Sequence, residues 1–280
     1  IGSKLINKLS SLDKIKKIII IDNFSSERYI SFINLKNRKK IIFFDEDLVH
    51  FNLNKIKNKI DCIIHLASTT NAEKSFSNKE RVLDNNVECT NKILALGNKN
   101  TKVIFASSTS VYGSQYKIIN SKNNQLNISP QSPYAESKIL CENIIKKKSA
   151  NYCIMRFGTI FGMSDGMRFH TAINKFCYQA AMDKEITIWK KFYKKKRPYL
   201  DLDDCVRSII FSIFNQKIKN ETLDVVTINL KVIDIIKEIE KLKKINKSFV
   251  NTKILNQLSY EVHSDRLINL KFKFNGNLFS

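Results

Sequence analysis

Two segments in the middle of the chain carry the residue types best suited to proton transfer. Ser107 and Ser108 end a β-branched run, and the segment 132–138 opens a long helical pattern containing Tyr134 and Lys138. Residues four apart share one helix face, so the Lys138 ammonium would stand beside the Tyr134 phenol and favour its phenolate. Tyr134 could then accept a hydroxyl proton while Ser108 positions the substrate oxygen. We therefore predict Ser108, Tyr134 and Lys138 as the catalytic set.

The alternative for Tyr134 and Lys138 is a surface pair on a solvated helix face. An isolated Tyr-x-x-x-Lys is usually of that kind. Here the serine-rich end of the earlier strand and Pro133 just before Tyr134 favour the catalytic interpretation.

The first residues of the chain, together with Asp22, indicate a dinucleotide site. A glycine-rich turn after a strand lets backbone amides and a helix N-terminus meet a pyrophosphate. Gly2 resembles the end of such a turn, leading into a helix that reaches about Leu12. Asp22 ends the next strand about 20 residues on, where a carboxylate binds the adenosine ribose and would repel a 2′-phosphate. We expect NAD rather than NADP; a helix cap or turn is the alternative role for Asp22.

These residues need elements to position them, and the chain supplies short β-branched runs that alternate with longer amphipathic stretches. The pattern predicts parallel strands joined by helical crossovers. The predicted strands are Lys17–Asp22, Lys40–Phe44, Asp61–Leu66, Lys102–Ser107 and Tyr152–Phe157, and the long helices between them are Ser75–Gly97 and Gln131–Lys148. The predicted fold is α/β, with a Rossmann-like doubly wound parallel sheet and a smaller interleaved α/β substrate-binding lobe.

We expect residues 1–165 to form the NAD-binding domain and 166–280 to form mainly the substrate lobe. Elements near 200–228 are expected to return to the first domain. In the usual strand order a further strand, ending in glycines, precedes Gly2 and lies at the centre of the sheet. We therefore expect a gap between the strands Lys17–Asp22 and Asp61–Leu66, and weak NAD binding by residues 1–280 alone.

The order of the motifs resembles the extended short-chain dehydrogenase/reductases, in particular the NAD-dependent epimerase/dehydratase family of UDP-glucose 4-epimerase-like proteins. The resemblance covers nearly the whole chain. It rests on Asp22, Asp47-Leu48, His65-Leu66-Ala67, Asn86, Ser108–Gly113, Tyr134–Lys138, Arg156–Gly162 and Arg197–Asp204.

The resemblance implies roles for residues that spacing alone leaves unassigned. Asp47 and Leu48 would border the adenine, Ala67 would lie along the cofactor, and Asn86 would support the catalytic residues. Arg197 would grip the substrate diphosphate, for which a guanidinium fork is suited. The alternative for Arg197 is a solvated member of the charge run 194–197.

Members of this family that catalyse different reactions carry different residues at a few positions. The resemblance implies that 4,6-dehydratases carry an Asp-Glu pair just after the catalytic hydroxyl residue, where this chain has Thr109 and Ser110. Epimerisation needs no such carboxylates, because hydride leaves C4 of the sugar for NAD and returns to the other face. Thr159 stands where related epimerases often have Asn, so the sugar and the nucleotide stay open. The predicted function is an NAD-dependent 4-epimerase of a nucleotide sugar; a dehydratase or reductase of the same family is an alternative.

The charge of the chain allows a second alternative, a non-catalytic or RNA-associated binding protein on the same fold. The net charge is +22, but only eight of the 48 basic residues are arginine and the lysines occur throughout the chain. A nucleic-acid surface usually concentrates its charge and uses arginine, so we do not expect that partner. The sequence also predicts no metal site, no membrane partner and a cytoplasmic location.

Three further expectations concern packing and assembly. His65 lies in an apolar strand and should be a packed structural histidine. The segment Asn256–Tyr260 resembles a late part of some epimerase-like chains, without an assigned chemistry. The resemblance implies a homodimer in which two long helices pair with their copies, through apolar residues such as Val82, Val87, Leu140 and Ile144.

Overall fold

The structure is a computed structural model of the chain. It describes residues 1–56, 59–70, 74–113, 118–120, 122, 128–251 and 260–278. Within these ranges no helix is long and apolar enough to cross a membrane.

The helices and strands follow the predicted alternation. The first half contains α1 (Gly2–Ser10), β1 (Ile18–Asp22), β2 (Ile41–Asp45), β3 (Cys62–His65), α2 (Lys79–Leu94), β4 (Lys102–Ser108), β5 (Ile118–Ile119) and α3 (Pro133–Lys148). The second half contains β6 (Tyr152–Phe157), β7 (Thr159–Phe161), α4 (Ala172–Ala181), β8 (Ile186–Trp189), β9 (Lys196–Asp201), α5 (Leu202–Phe214), β10 (Glu221–Val225), β11 (Ile228–Lys231), α6 (Val232–Leu242), β12 (Lys247–Val250), β13 (Glu261–Val262) and α7 (Asp265–Asn269).

The largest sheet has four parallel strands in the order β10, β6, β4, β3. Side chains alternate between its two faces, as the period of two in a strand requires. Val103 and Phe105 of β4 pack towards α2 and α3, whereas Ile104 packs towards α1 and α5. Helices therefore cover both faces of the sheet, which is the doubly wound arrangement.

Strand β1 lies in a second sheet, where it pairs in parallel with β2. Residues 18–21 of β1 and 62–65 of β3 line the same open cavity of about 1430 Å³. The two strands that we expected to flank a gap thus belong to different sheets. The cavity extends to the carboxyl ends of β1, β3 and β4, the edge at which parallel α/β sheets bind ligands.

A smaller lobe stands beside these sheets. In it β9 lies between the antiparallel β11 and the parallel β7, while β8 pairs with β12. Helices α4 and α6 close its core through Ile173, Phe176, Ile235 and Ile236. The intervening α5 packs on the large sheet, and β10 pairs there with β6. The assignment of 1–165 to NAD and 166–280 to substrate stays a prediction.

Candidate active site

Ser108 is the last residue of β4, and a sharp turn follows it. Its hydroxyl accepts a hydrogen bond from the Ser110 backbone N–H, with a nitrogen–oxygen distance of 3.2 Å. The turn 109–112 ends at Gly113, whose φ of 63° is left-handed. A Cβ at Gly113 would lie 1.9 Å from the Ser129 carbonyl oxygen, so this position requires glycine. The turn therefore fixes Ser108 at the edge of the sheet that faces the cavity.

Local capping sets where α3 begins. The Ser132 hydroxyl accepts a hydrogen bond from the Ala135 N–H at 3.2 Å, and Pro133 occupies the first turn, where its missing N–H costs nothing. This start places Tyr134 and Lys138 one turn apart, and both line the cavity.

The structure brings the three predicted catalytic residues together. Ser108 and Tyr134 line the same part of the cavity, and the Ser108 hydroxyl acts on the Tyr134 phenol so as to lower its pKa. The Lys138 nitrogen lies 5.6 Å from the centre of the Tyr134 ring, and it donates to the Ala106 carbonyl oxygen at 2.8 Å. The ammonium is thus held between the strand that ends in Ser108 and the phenol that would exchange the proton.

The charges that act on the Tyr134 phenol include one that the sequence did not predict. Burial raises the pKa of Tyr134, opposed by the hydrogen bond from Ser108 and by the positive charge of Arg168. Burial also lowers the pKa of Lys138 to about 8. Arg168 is therefore a cation that favours the phenolate in addition to Lys138, whose ammonium lies beside the Tyr134 ring and donates to the Ala106 carbonyl.

A buried ionic network lies behind the catalytic residues. Glu142, one helical turn beyond Lys138, accepts hydrogen bonds from Arg156 Nε at 2.9 Å and from Ser107 Oγ at 2.6 Å. The Tyr112 hydroxyl accepts a hydrogen bond from Arg156 at 3.0 Å and donates one to Asp224. The network joins β4, α3, β6 and β10 directly beneath Ser108.

Four of the predicted cofactor residues, besides Tyr134 and Lys138, line the cavity: Gly2, Asp22, Leu48 and Ala67. A Cβ at Gly2 would meet no atom within 4 Å, so there is open space around this residue in the first turn of α1. Exposed Asp22 accepts the Phe24 N–H at 2.9 Å, which makes it a turn residue as well as a possible ribose ligand. The N-terminus of α1 could bind the pyrophosphate of a dinucleotide, and the carboxylate of Asp22 at the end of β1 could bind its ribose.

The other two predicted cofactor residues, Asp47 and Asn86, lie behind the cavity wall. Asp47 accepts a hydrogen bond from the Asn23 side chain at 2.7 Å and so ties together the loops that follow β1 and β2. Asn86 is buried in α2 and donates to Ser137 Oγ at 2.8 Å. Asn86 therefore contacts the helix of Tyr134 and Lys138, and the position of Asp47 beside the adenine stays a prediction.

The predicted substrate residues line the opposite part of the cavity. Thr159 is exposed on β7, opposite Tyr199 of β9, and Arg197 is half-buried on β9. The Arg197 guanidinium carbon lies 5.2 Å from the centre of the Tyr260 ring. Arg197 is therefore held in the wall and is not a freely solvated member of its charge run.

Arg168 is a site residue that sequence reasoning missed. It lines the cavity, forms a hydrogen bond with Thr70, and acts electrostatically on both Tyr134 and Arg28. The signal in the sequence was weak: one of only eight arginines stands in an irregular segment of a lysine-rich chain. Because Arg168 is about 30 residues from Tyr134 and belongs to none of the recognised motifs, nothing in the sequence brings it near Tyr134.

His65 is the structural histidine that its apolar context predicts. It is buried in β3, its Nε2 lies 3.0 Å from Thr90 Oγ1, and burial lowers its pKa to about 3. A neutral imidazole packed between β3 and α2 is a core group.

This fold and this Ser-Tyr-Lys cavity define a Rossmann-type enzyme of the dehydrogenase/epimerase class. Residues 1–226 match the NAD dependent epimerase/dehydratase family, and the chain belongs to that family. The predicted resemblance is confirmed, as is NAD as the cofactor of the family.

Relatives in sequence and structure agree with this membership. An uncharacterized UDP-glucose epimerase, YtcB, of Bacillus subtilis is 29% identical over 239 residues, covering 80% of this chain and 73% of that protein. A dTDP-D-glucose 4,6-dehydratase of Dictyostelium discoideum is 29% identical over 228 residues, covering 74% of this chain and 51% of that protein. The UDP-glucuronic acid 4-epimerase of Bacillus cereus, crystallised with UDP-glucuronic acid and NAD, superposes with a TM-score of 0.89 at 23% identity, covering 100% of this chain and 92% of that chain. This likeness confirms the predicted α/β fold.

Proposed function

We propose that the protein is an NAD-dependent epimerase that inverts C4 of a nucleotide sugar. The observation that carries the proposal is the convergence of Ser108, Tyr134 and the Lys138 ammonium in one cavity that also reaches Asp22 and Arg197. One end of this cavity suits a dinucleotide and the other suits an anionic sugar nucleotide.

The side chains divide the proton chemistry among them. Tyr134 accepts the proton of the sugar 4-hydroxyl and returns it after the inversion. Ser108 donates a hydrogen bond to the same oxygen while charge develops on it. Lys138, held by the Ala106 carbonyl, keeps a positive charge next to Tyr134 and binds the nicotinamide ribose. The chemistry that NAD would supply when bound is reversible acceptance of a hydride from C4 of the sugar.

Binding is divided between the two ends of the cavity. Gly2 at the start of α1 receives the pyrophosphate of NAD, and Asp22 receives its adenosine ribose. Leu48 and Ala67 supply apolar wall along the cofactor. Thr159 contacts the sugar, and Arg197 pairs with the substrate diphosphate.

The Dictyostelium relative supports a dehydratase as the second candidate. Elimination of water from a sugar requires an acid and a base besides the catalytic tyrosine. Positions 109 and 110, next to Ser108, carry only hydroxyl groups, and Thr109 is buried. Epimerisation therefore agrees better with the residues present. A binding protein would have no use for the Tyr134–Ser108–Lys138 arrangement.

The test is to incubate the full-length protein with NAD and, in turn, UDP-, dTDP- and GDP-hexoses and the corresponding uronic acids. Chromatography should detect the 4-epimer of at least one of them. A 4-keto-6-deoxy product would establish the dehydratase instead. Binding of a nucleotide sugar without any product would support the binding protein.

We also propose a homodimer formed through α2 and α3, which pack against each other along the surface. Leu140 of α3 is 44% exposed and, with the partly exposed Val87 and Ile144, offers an apolar strip. Val82 does not contribute, because it is buried in the single chain. A cytoplasmic location stays a prediction of the sequence, which cell fractionation would test.

A further inference from the structure

Tyr260 is a cavity residue that the proposed mechanism does not use. Of the segment Asn256–Tyr260 noted in the sequence, residues 256–259 lie outside the described residues, and Tyr260 is described. Its side chain is 6% exposed and packs with Val111, Ile119 and Val262. It also lines the cavity that contains Ser108 and Arg197. A large buried ring thus occupies the wall shared by the catalytic turn and the lobe.

The guanidinium of Arg197 lies over the face of the Tyr260 ring. The guanidinium carbon is 5.2 Å from the ring centre, within the range at which a cation is attracted to an aromatic face. The Tyr260 N–H also donates to the Lys196 carbonyl oxygen at 3.3 Å, which links the ring to β9. An arginine side chain loses rotamer freedom when it binds an anion, and a ring that already holds the guanidinium reduces this loss.

The hydroxyl of Tyr260 contacts the turn that follows Ser108. Its hydroxyl donates to Thr109 Oγ1 over 3.4 Å, and Thr109 directly follows Ser108. One side chain therefore contacts both Arg197, the proposed diphosphate ligand, and the turn that follows Ser108.

We propose that Tyr260 is a positioning residue for the substrate diphosphate: its ring fixes the guanidinium of Arg197 and sets that group relative to the Ser108 turn. The proposal rests on the diphosphate role of Arg197 in the proposed function. It predicts that loss of the aromatic face weakens binding of a nucleoside diphosphate. Loss of the hydroxyl alone leaves that binding unchanged.

The experiment is calorimetric titration of the NAD-loaded full-length protein with UDP and with dTDP, using the tighter ligand for all variants. Tyr260→Leu should weaken its binding about fivefold to thirtyfold, the range expected for a partly to fully desolvated cation–aromatic contact. Tyr260→Phe, which keeps the ring and removes the hydroxyl, should bind within about twofold of the unchanged protein. In Arg197→Ala the further change Tyr260→Leu should have no effect on affinity, because the cation is gone.

A second variant keeps the proposal testable if Tyr260→Leu does not fold. Pentafluorophenylalanine at position 260 keeps the shape of the ring but withdraws the negative charge from its face, so it should weaken binding relative to Tyr260→Phe. Equal affinities in these two variants would overturn the proposal. If Arg197→Ala binds the diphosphate as tightly as the unchanged protein, the substrate role of Arg197 in the proposed function fails. If Arg197→Ala weakens binding and Tyr260→Leu does not, only the role of Tyr260 fails.

Discussion

Glu142 and Arg156 form a buried ion pair one helical turn beyond the catalytic lysine. Two Arg156 nitrogens donate to the two carboxylate oxygens of Glu142, at 2.9 and 2.6 Å, and both side chains are at most 1% exposed. Because Ser107 donates to the same carboxylate at 2.6 Å, the pair joins α3 to the strand that ends in Ser108. The relative position of Ser108 and Tyr134 therefore depends on a charge pair that does not touch the substrate.

The first prediction follows from the burial of this pair. Glu142→Gln leaves the Arg156 charge uncompensated and should lower the free energy of unfolding by about 3–5 kcal/mol. Ser107→Ala removes one hydrogen bond to a charged group and should cost about 1–3 kcal/mol. Urea unfolding measures both. The paired change Glu142→Leu with Arg156→Met should recover most of the loss; a pair variant as unstable as Glu142→Gln would contradict this account.

The second prediction concerns the proton acceptor. Tyr134→Phe removes the phenolic oxygen and keeps the ring, so turnover should fall roughly 10²–10⁴-fold, the usual contribution of a positioned acid or base. NAD affinity, measured by titration, should change little. Ser75→Ala is a matched control, since it removes the hydroxyl that accepts the Tyr134 backbone N–H and leaves the Tyr134 phenol in place. Full activity of Tyr134→Phe would exclude the proposed mechanism.

A third prediction uses the charge on Arg168. This cation lowers the pKa of Tyr134 against the upward effect of burial. If the phenolate is the base, kcat/KM rises with pH through that pKa, and Arg168→Gln must move the rising limb to higher pH. Arg168→Lys keeps the charge and should move it less. A pH profile of Arg168→Gln that coincides with that of the unchanged enzyme would show that Arg168 does not act on the base.

The fourth prediction tests the proposed dimer. Leu140→Asp places a charge in the centre of the strip on α3 and should convert the dimer to a monomer in sedimentation equilibrium at micromolar concentration. Leu242→Asp, the same substitution at an exposed leucine at the end of α6, should leave the dimer intact. A monomeric unchanged protein would rule out this assembly.

The candidate catalytic residues could be proposed from the sequence because their signal is local. Tyr134 and Lys138 lie on one helix, and Ser108 ends a strand whose apolar run is unmistakable. Both ends of β6, Tyr152–Phe157, were predicted to the residue because its apolar run is equally local.

The lobe could not be predicted as well, because its strands depend on distant partners. Residues 194–197 form a charge run before Pro198, and we predicted no strand there. In the structure, residues 196–201 form β9 between β11 and β7. A proline inside a strand is tolerated only where its missing N–H is not needed. The approach of Arg168 to Tyr134 and of Arg197 to Tyr260 likewise depends on packing between residues far apart in the chain.

The most direct test of the central claim is conversion of the active nucleotide sugar in heavy water, followed by proton NMR of the product. An epimerase of the proposed kind inverts C4 without passing the C4 hydrogen through solvent, so the 4-epimer should form with full proton signals at C4 and C5. A dehydratase must remove the C5 proton to eliminate water, and its product would carry deuterium. Appearance of the 4-epimer without deuterium is the predicted result; deuterium at C4 or C5, or a 4-keto-6-deoxy sugar, would contradict it.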